Sequence, residues 1–149
     1  MRVYNKLKSE TFDIFSKESA LFDGLVQNDL LEIREQNYQT LIIKNCQLTG
    51  LIISNVQAEL LIIENCRVNG TIDMDMIEIG EINVRSNVAS EINIGVGVDL
   101  KGLNIENNSC SLNFRSESDS YLKVSLSSHQ KLDKTYYLDT SVFKKALGS

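Results

Sequence analysis

Apolar and polar residues alternate in short runs along the middle of this chain, and the runs recur at a fixed interval. The segments LIIKNCQLTG, LIISNVQAEL and LIIENCRVNG follow one another from residue 41 to residue 70. Paired apolar positions lie two residues apart, the spacing of one face of a strand, and the pairs recur every five residues. Helical spacing does not fit, so the pattern predicts short strands separated by corners. The paired positions, all apolar except Gln36, are Leu31/Ile33, Gln36/Tyr38, Leu41/Ile43, Cys46/Leu48, Leu51/Ile53, Val56/Ala58, Leu61/Ile63 and Cys66/Val68.

The pattern shifts by one residue at Thr71 and then continues. A one-residue slip inverts the two sides of a strand, so we expect a bulge or a loosened corner near Gly70 and Thr71. The stretch GVGVDLKG, from Gly95 to Gly102, is predicted to be a loop. The later pairs are Ile72/Met74, Ile77/Ile79, Ile82/Val84, Ile92/Ile94, Leu103/Ile105, Leu112/Phe114 and Leu122/Val124. The residues between their members are predicted to face solvent: Asp73, Glu78, Asn83, Asn93, Asn104, Asn113 and Lys123.

Four five-residue units make a coil of about 20 residues, so side chains separated by one coil are predicted to stack. Cys66 then lies over Cys46, and Asn65 over Asn45, at the inter-strand spacing of about 4.8 Å. Asn45, Asn55 and Asn65 are predicted at corners, because Asn tolerates the left-handed backbone. The predicted fold class is therefore all-β: a right-handed parallel β-helix, or solenoid, with coils of about 20 residues and short helical or irregular caps.

The units CQLTG and CRVNG, at residues 46–50 and 66–70, resemble those of the pentapeptide-repeat proteins. Units in that family begin with a small residue followed by Asp or Asn, then Leu or Phe, then two small or polar residues. The resemblance covers at most residues 31–94 and implies a square parallel β-helix. Alternate units such as LIIKN and LIIEN place Leu where the family keeps a small residue, which indicates a wider and less square coil.

The ends of the chain are predicted to cap the solenoid, because a bare coil exposes unpaired strand edges. Residues 11–30 form either a short helix or a first, irregular coil. Residues 134–149 are predicted to form a last strand and then a short helix that begins at Thr140 or Ser141. The chain is thus divided into an N-terminal cap at 1–30, a β-solenoid at 31–125 and a C-terminal cap at 126–149.

The segment YYLDTSVFKKAL, residues 136–147, resembles the first strand and helix of PIN-domain nucleases. That resemblance implies that Asp139 is a metal-binding acid of a nuclease whose first part lies here. It covers about a dozen residues. The preferred interpretation is a C-terminal cap.

Composition excludes several classes of function. The 149 residues carry a net charge of −5, with 20 acids and 15 bases, so a nucleic acid partner is not expected. No apolar stretch is long enough to span a membrane, and the start MRVYNKLKSE lacks a signal-peptide core, which predicts a cytoplasmic protein with no membrane partner. Three Cys without CxxC spacing and the single His129 indicate no zinc site and no cofactor. The family resemblances imply a bacterial protein.

Two groups of residues remain as candidates for chemistry. Cys46 and Cys66 are either a disulfide or a pair of buried thiols, and we prefer the thiols because the cytosol is reducing. Cys110 lies outside their column. An acidic cluster could hold a divalent cation, although a solvated strand face is the commoner outcome for such residues. Its members are Asp73, Asp75, Glu78, Glu81 and Glu91.

These observations favour a nonenzymatic module for protein–protein interaction or scaffolding, with no catalytic, cofactor-binding or metal-binding residue assigned. Three alternatives stay open. The chain could be a self-polymerising scaffold that resembles the bactofilins, whose short β-helices join end to end. It could be an acidic mimic of DNA that inhibits a DNA-binding enzyme, as some pentapeptide-repeat proteins are, or the N-terminal part of a PIN-type nuclease. The identity of the protein partner is not encoded in any motif, and a homo-oligomer is compatible with the pattern.

Overall fold

The computed structural model describes residues 2–4, 18–26, 29–96, 102–116, 123–126 and 134–137. In this part of the chain the regular elements are all strands and there is no helix. The fourteen strands are β1 Arg2–Tyr4, β2 Glu18–Asp23, β3 Leu30–Arg34, β4 Asn37–Lys44, β5 Gln47–Leu48, β6 Gly50–Ser54, β7 Gln57–Glu64, β8 Arg67–Val68, β9 Thr71–Arg85, β10 Val88–Val96, β11 Gly102–Glu106, β12 Ser109–Ser116, β13 Lys123–Leu126 and β14 Lys134–Tyr137.

Every strand pairing in the described residues is parallel, so the chain winds as a β-solenoid and the predicted all-β fold class is confirmed. We name the two walls of the coil by their strands. Sheet A contains β1, β2, β4, β7, the second half of β9, β11 and β13. Sheet B contains β3, β6, the first half of β9, β10, β12 and β14, with the short strands β5 and β8 beside them. Strand β9 turns a corner and belongs to both walls.

Successive coils repeat at almost the same interval along the chain. In sheet A, Leu41 pairs with Leu61. Leu61 pairs with Ile82, and Ile82 with Leu103, so each of these two later coils is longer by a single residue. Equivalent side chains therefore stack directly above one another, as the repeat predicted.

The extra residue enters where the sequence predicted the slip. Leu48 pairs with Val68, but Leu51, three positions later, pairs with Ile72 rather than with residue 71. Gly70 lies in that interval, and a Cβ atom at this position would stand 2.6 Å from the Thr49 carbonyl oxygen. Only glycine fits so close to the neighbouring coil.

The corners of the coil are built on residues with left-handed backbone. Asn45, Asn55 and Asn65 have φ angles of 56°, 54° and 54°, which confirms the predicted corners. The Asn65 side-chain amide donates to Asn45 Oδ1 at 2.8 Å, and Asn45 donates to Asp23 Oδ1 at 3.0 Å. Each of these two corner amides thus bonds to the coil below it. The two columns of left-handed residues are Gly24, Asn45, Asn65, Ser86 and Asn107, and Glu35, Asn55 and Met76.

The core is the interior of the coil, and the predicted inward positions fill it. Of the paired positions between residues 31 and 94, all are buried except Gln36 and Ala58, which are half-buried. Leu103, Ile105 and Leu112 are buried too. Of the residues predicted to face solvent, Glu78 is exposed, whereas Asp73, Asn83, Asn93 and Asn104 are half-buried. The side chains of Phe114, Leu122, Val124, Asn113 and Lys123 lie outside the described residues.

The ends differ in part from expectation. At the N-terminal side, Glu18–Asp23 form the regular strand β2 and Leu25 is buried, so this part of residues 11–30 is a strand of the coil and not a helix. Residues 11–17 lie outside the described residues. At the other end, β14 is the expected last strand, while Thr140, Ser141 and the predicted helix lie outside the described residues. The predicted loop from Gly95 to Gly102 was wrong at its edges, because Gly95 and Val96 continue β10 and Gly102 begins β11.

Candidate interaction surface

The outer face of sheet A carries side chains in columns, because the residues between the inward pairs all point away from the core. The middle column changes character along the solenoid axis. Its first three members are apolar and its last two are amides, with the Asn104 amide donating to Asn83 Oδ1 at 2.7 Å. In chain order the column contains Leu21, Ile42, Ile62, Asn83 and Asn104, all half-buried.

The column beside it alternates in charge at every level. In chain order it contains Asp23, Lys44, Glu64, Arg85 and Glu106. Arg85 Nη2 lies 3.5 Å from Glu64 Oε1, and the two side chains are 39% and 42% exposed. Opposite charges on adjacent strands are favourable by roughly 0.2–1 kcal/mol, and a surface pair contributes at the lower end of that range. The alternation leaves no like charges on adjacent strands within this column.

A third column, on the other side of the middle one, extends the apolar surface. Thr40 pairs with Leu60, and Leu60 pairs with Glu81. We define the apolar patch as Leu21, Ile42, Leu60 and Ile62. These four half-buried side chains occupy three adjacent levels of sheet A and are bordered by the charge column on one side.

Inside the coil, one column changes from thiols to amides. In chain order it contains Leu25, Cys46, Cys66, Asn87 and Asn108, each directly after a left-handed corner residue. Asn87 is fully buried and its Oδ1 accepts from the Cys66 backbone N–H at 2.9 Å. The Asn87 amide donates to the Ile63 carbonyl and to Asn108 Oδ1, both at 3.0 Å. These bonds satisfy backbone groups that the corner would otherwise leave unpaired.

Cys46 and Cys66 are buried thiols, as the preferred interpretation predicted. The Cys46 Sγ lies 3.2 Å from the Lys44 carbonyl oxygen, and the Cys66 Sγ lies 3.4 Å from that of Glu64. The hydrogen bond with Cys46, and then burial, raise the pKa of the Cys66 thiol. A thiol that resists ionisation is a poor nucleophile, which argues against Cys66 as a reactive residue. Both side chains are buried in the interior of the coil.

The raised pKa of Cys66 predicts that stability falls at alkaline pH. Above about pH 8.5 the unfolded thiol ionises while the folded one keeps its proton, so the unfolded state binds fewer protons. The contribution of Cys66 is complete below that pH. It is lost above it, by up to about 1.4 kcal/mol per pH unit. Urea unfolding between roughly pH 8 and 10 should show this slope.

The matched control is the double variant Cys46→Ala/Cys66→Ala, because removal of Cys66 alone also removes the hydrogen bond that lowers the pKa of Cys46. The chains are compared by slope, since the substitutions also leave a cavity. The free energy of unfolding of the double variant should depend less steeply on pH over the same range than that of the unaltered chain. Equal slopes in the two chains would contradict the assignment.

The predicted acidic cluster is divided between the two walls. Asp73 pairs with Ile52 and Asn93 in sheet B, and Glu91 pairs with Thr71 there. Glu78 and Glu81 lie on sheet A, where Gln57 donates to Glu78 Oε2 at 3.0 Å. No group of three or more potential metal ligands occurs in the described ranges. The structure therefore does not assemble these acids into one site.

The structure describes one of the three remaining candidate residues. Cys110 lies in β12 and packs against the core, outside the thiol column as predicted. Asp139 and His129 lie outside the described residues. Within the part of the chain that the structure describes, no helix is long and apolar enough to cross a membrane.

Three features were missed by reasoning from the sequence. The interior amides Asn87 and Asn108 follow Cys66 at the interval of the longer coils, and that regular interval was the available signal. The alternating charge column could have been found by aligning residues 44, 64, 85 and 106 in the same way. Met76, at φ 52° and 62% exposed, has no such signal: it marks a register shift between β9 and β10.

Comparison of the chain with protein-family models, with curated proteins and with solved structures finds no match.

Proposed function

We propose that this chain is a nonenzymatic module for protein–protein interaction or scaffolding, and that the outer face of sheet A is its contact surface. The observation that carries the proposal is the apolar patch of Leu21, Ile42, Leu60 and Ile62 on an outward-facing wall. Contiguous apolar side chains outside the core are typical of protein interaction sites.

The same column supplies an internal comparison. At the level of Asn83 and Asn104 the outward position holds an amide, and the coil folds in the same register as at Ile42 and Ile62. Stacking therefore does not require an apolar residue at this outward position. The apolar members of the column are therefore available for contact with a docked protein, which would bury them.

The proposal retains part of the resemblance to the pentapeptide-repeat proteins. The corner asparagines and the interior cysteines support a related coil, while the apolar units such as LIIKN support a wider one. Mimicry of DNA is less favoured, because the charge column of sheet A alternates in sign instead of presenting a continuous row of acids.

Affinity capture with the intact chain tests the proposal. Ile62→Asp alters the apolar patch, and Val88→Asp is its control, because Val88 is an exposed apolar residue of sheet B whose strand neighbours are Arg67 and Ser109. Extracts of the source cells should yield a protein retained by the unaltered chain and by Val88→Asp, but lost with Ile62→Asp. Quantitative mass spectrometry measures the difference. Identical sets of captured proteins for all three chains would contradict an interaction role for sheet A.

A further inference from the structure

We propose that the partner of this surface is a second copy of the chain, packed face to face across sheet A. The two-fold axis lies parallel to the strands, between the levels of Lys44 and Glu64. This inference rests on the proposed function, because it names the occupant of the same surface. Its basis is charge complementarity between the columns, together with the area of the wall.

A two-fold axis parallel to the strands relates the columns in a simple way. Rotation about this axis keeps each position along the strand and reverses the order of the coils. The charge column of one copy therefore faces the charge column of the other, read in the opposite direction. Two copies related in this way form a closed dimer with a self-complementary interface.

With the axis between the second and third levels, every facing pair of charges is opposite in sign. Lys44 of one copy faces Glu64 of the other, and Asp23 faces Arg85. The symmetry repeats both pairs, so four facing pairs form. At the centre of the middle column, Ile42 faces Ile62, so the charge pairs border an apolar contact.

Other positions of the axis are less favourable. An axis at the level of Glu64 sets Lys44 against Arg85 and Glu64 against its own copy, which juxtaposes like charges. An axis one level beyond, between Glu64 and Arg85, restores opposite charges but sets Ile62 against Asn83. An axis between Asp23 and Lys44 also sets opposite charges and apolar residues against each other, but it forms two facing charge pairs instead of four and covers fewer levels. The number of opposite pairs and the apolar contact together select the position between Lys44 and Glu64.

The area of the facing walls is that of a weak dimer. Four levels face each other in this arrangement: β2, β4, β7 and the second half of β9. Strands of six to eight residues at about 3.3 Å per residue, spaced about 4.8 Å apart, give roughly 480 Å² for each copy. Two copies would bury roughly 950 Å², which suits a weak or transient association.

Charge exchange tests the arrangement. Lys44→Glu leaves two acids at the central levels, and Glu64→Lys leaves two bases. Each variant alone should repel its own copy at two symmetric pairs, weakening dimerisation by at least about a hundredfold in Kd. A mixture of the two variants should form a one-to-one heterodimer, because both central pairs are then opposite in sign. Arg34→Glu, on sheet B, is the matched control and should leave the homodimer intact.

Sedimentation velocity on the full-length chains, at concentrations up to about 200 µM and at low and high salt, measures the masses, with circular dichroism to verify folding. A dimer of the unaltered chain, monomers of each variant and a dimer on mixing support the inference. A monomer of the unaltered chain at all concentrations, an open series of larger species, or a mixture that stays monomeric overturns it. If the unaltered chain is a monomer but still captures a protein that Ile62→Asp loses, the proposed function stands and this inference fails.

Discussion

The Ile63→Asp chain is expected not to fold, whereas Ile62→Asp folds. The two residues are neighbours in β7 and identical in type, but Ile63 is fully buried between stacked coils and Ile62 points outward. A carboxylate at position 63 has no partner inside the coil, and burying it costs several kcal/mol out of a total stability of about 5–15 kcal/mol. At position 62 the carboxylate stays in water, and a cost of about 1 kcal/mol is expected.

Thermal unfolding followed by circular dichroism measures this pair. The unaltered chain and Ile62→Asp should show a cooperative transition from a β spectrum, and Ile63→Asp should show none. Similar transitions for both variants would mean that the register of β7 is wrong. That register also defines the apolar patch, so the result bears on the interaction surface as well.

Replacement of Asn87 by Leu is expected to destabilise the fold by about 3–5 kcal/mol. The substitution leaves the Cys66 N–H and the Ile63 carbonyl buried without their side-chain partner, and it removes the bond to Asn108. Each buried group left unpaired costs roughly 1–3 kcal/mol. The loss is large because these groups lie inside the coil, where no water replaces the amide.

Asn83→Leu is the matched control, since its hydrogen bond with Asn104 lies on the half-exposed outer wall. Its expected cost is within about 1 kcal/mol. Equilibrium urea unfolding of the three chains gives the free energies. An Asn87→Leu chain as stable as Asn83→Leu would show that the interior amides do not support the corners.

The architecture was predictable because its cause is local and periodic. The spacing of Leu41 and Ile43, which recurs in the segments that begin at residues 51 and 61, indicates the inward side of each strand. The asparagines at the corners indicate the residues with left-handed backbone. The extra residue near Gly70 was predictable for the same reason, since a slip changes the phase of every later pair. These features follow from the conformation of a single coil and from its regular repetition along the chain.

The interior amides were not predicted, because a polar residue at an inward position interrupts the pattern of apolar pairs. Asn87 can be buried because it forms hydrogen bonds with Asn108, the Cys66 N–H and the Ile63 carbonyl. These groups lie on neighbouring coils, so their proximity to Asn87 follows only from the three-dimensional arrangement of the coils. The charge column has the same origin. Its meaning depends on which residues are neighbours across strands, and the lengthening of the coil after Gly70 hides that relation in the sequence.

The alternating charge column has a consequence for how the chain finds its register. The decads that begin at Leu41, Leu51 and Leu61 are nearly interchangeable, so a growing stack could omit one turn and still bury apolar side chains. Omission of the turn that contains Glu64 would set Lys44 against Arg85, which places two like charges on adjacent strands. The alternation therefore disfavours a stack with a missing turn and favours one defined order of nearly uniform repeats.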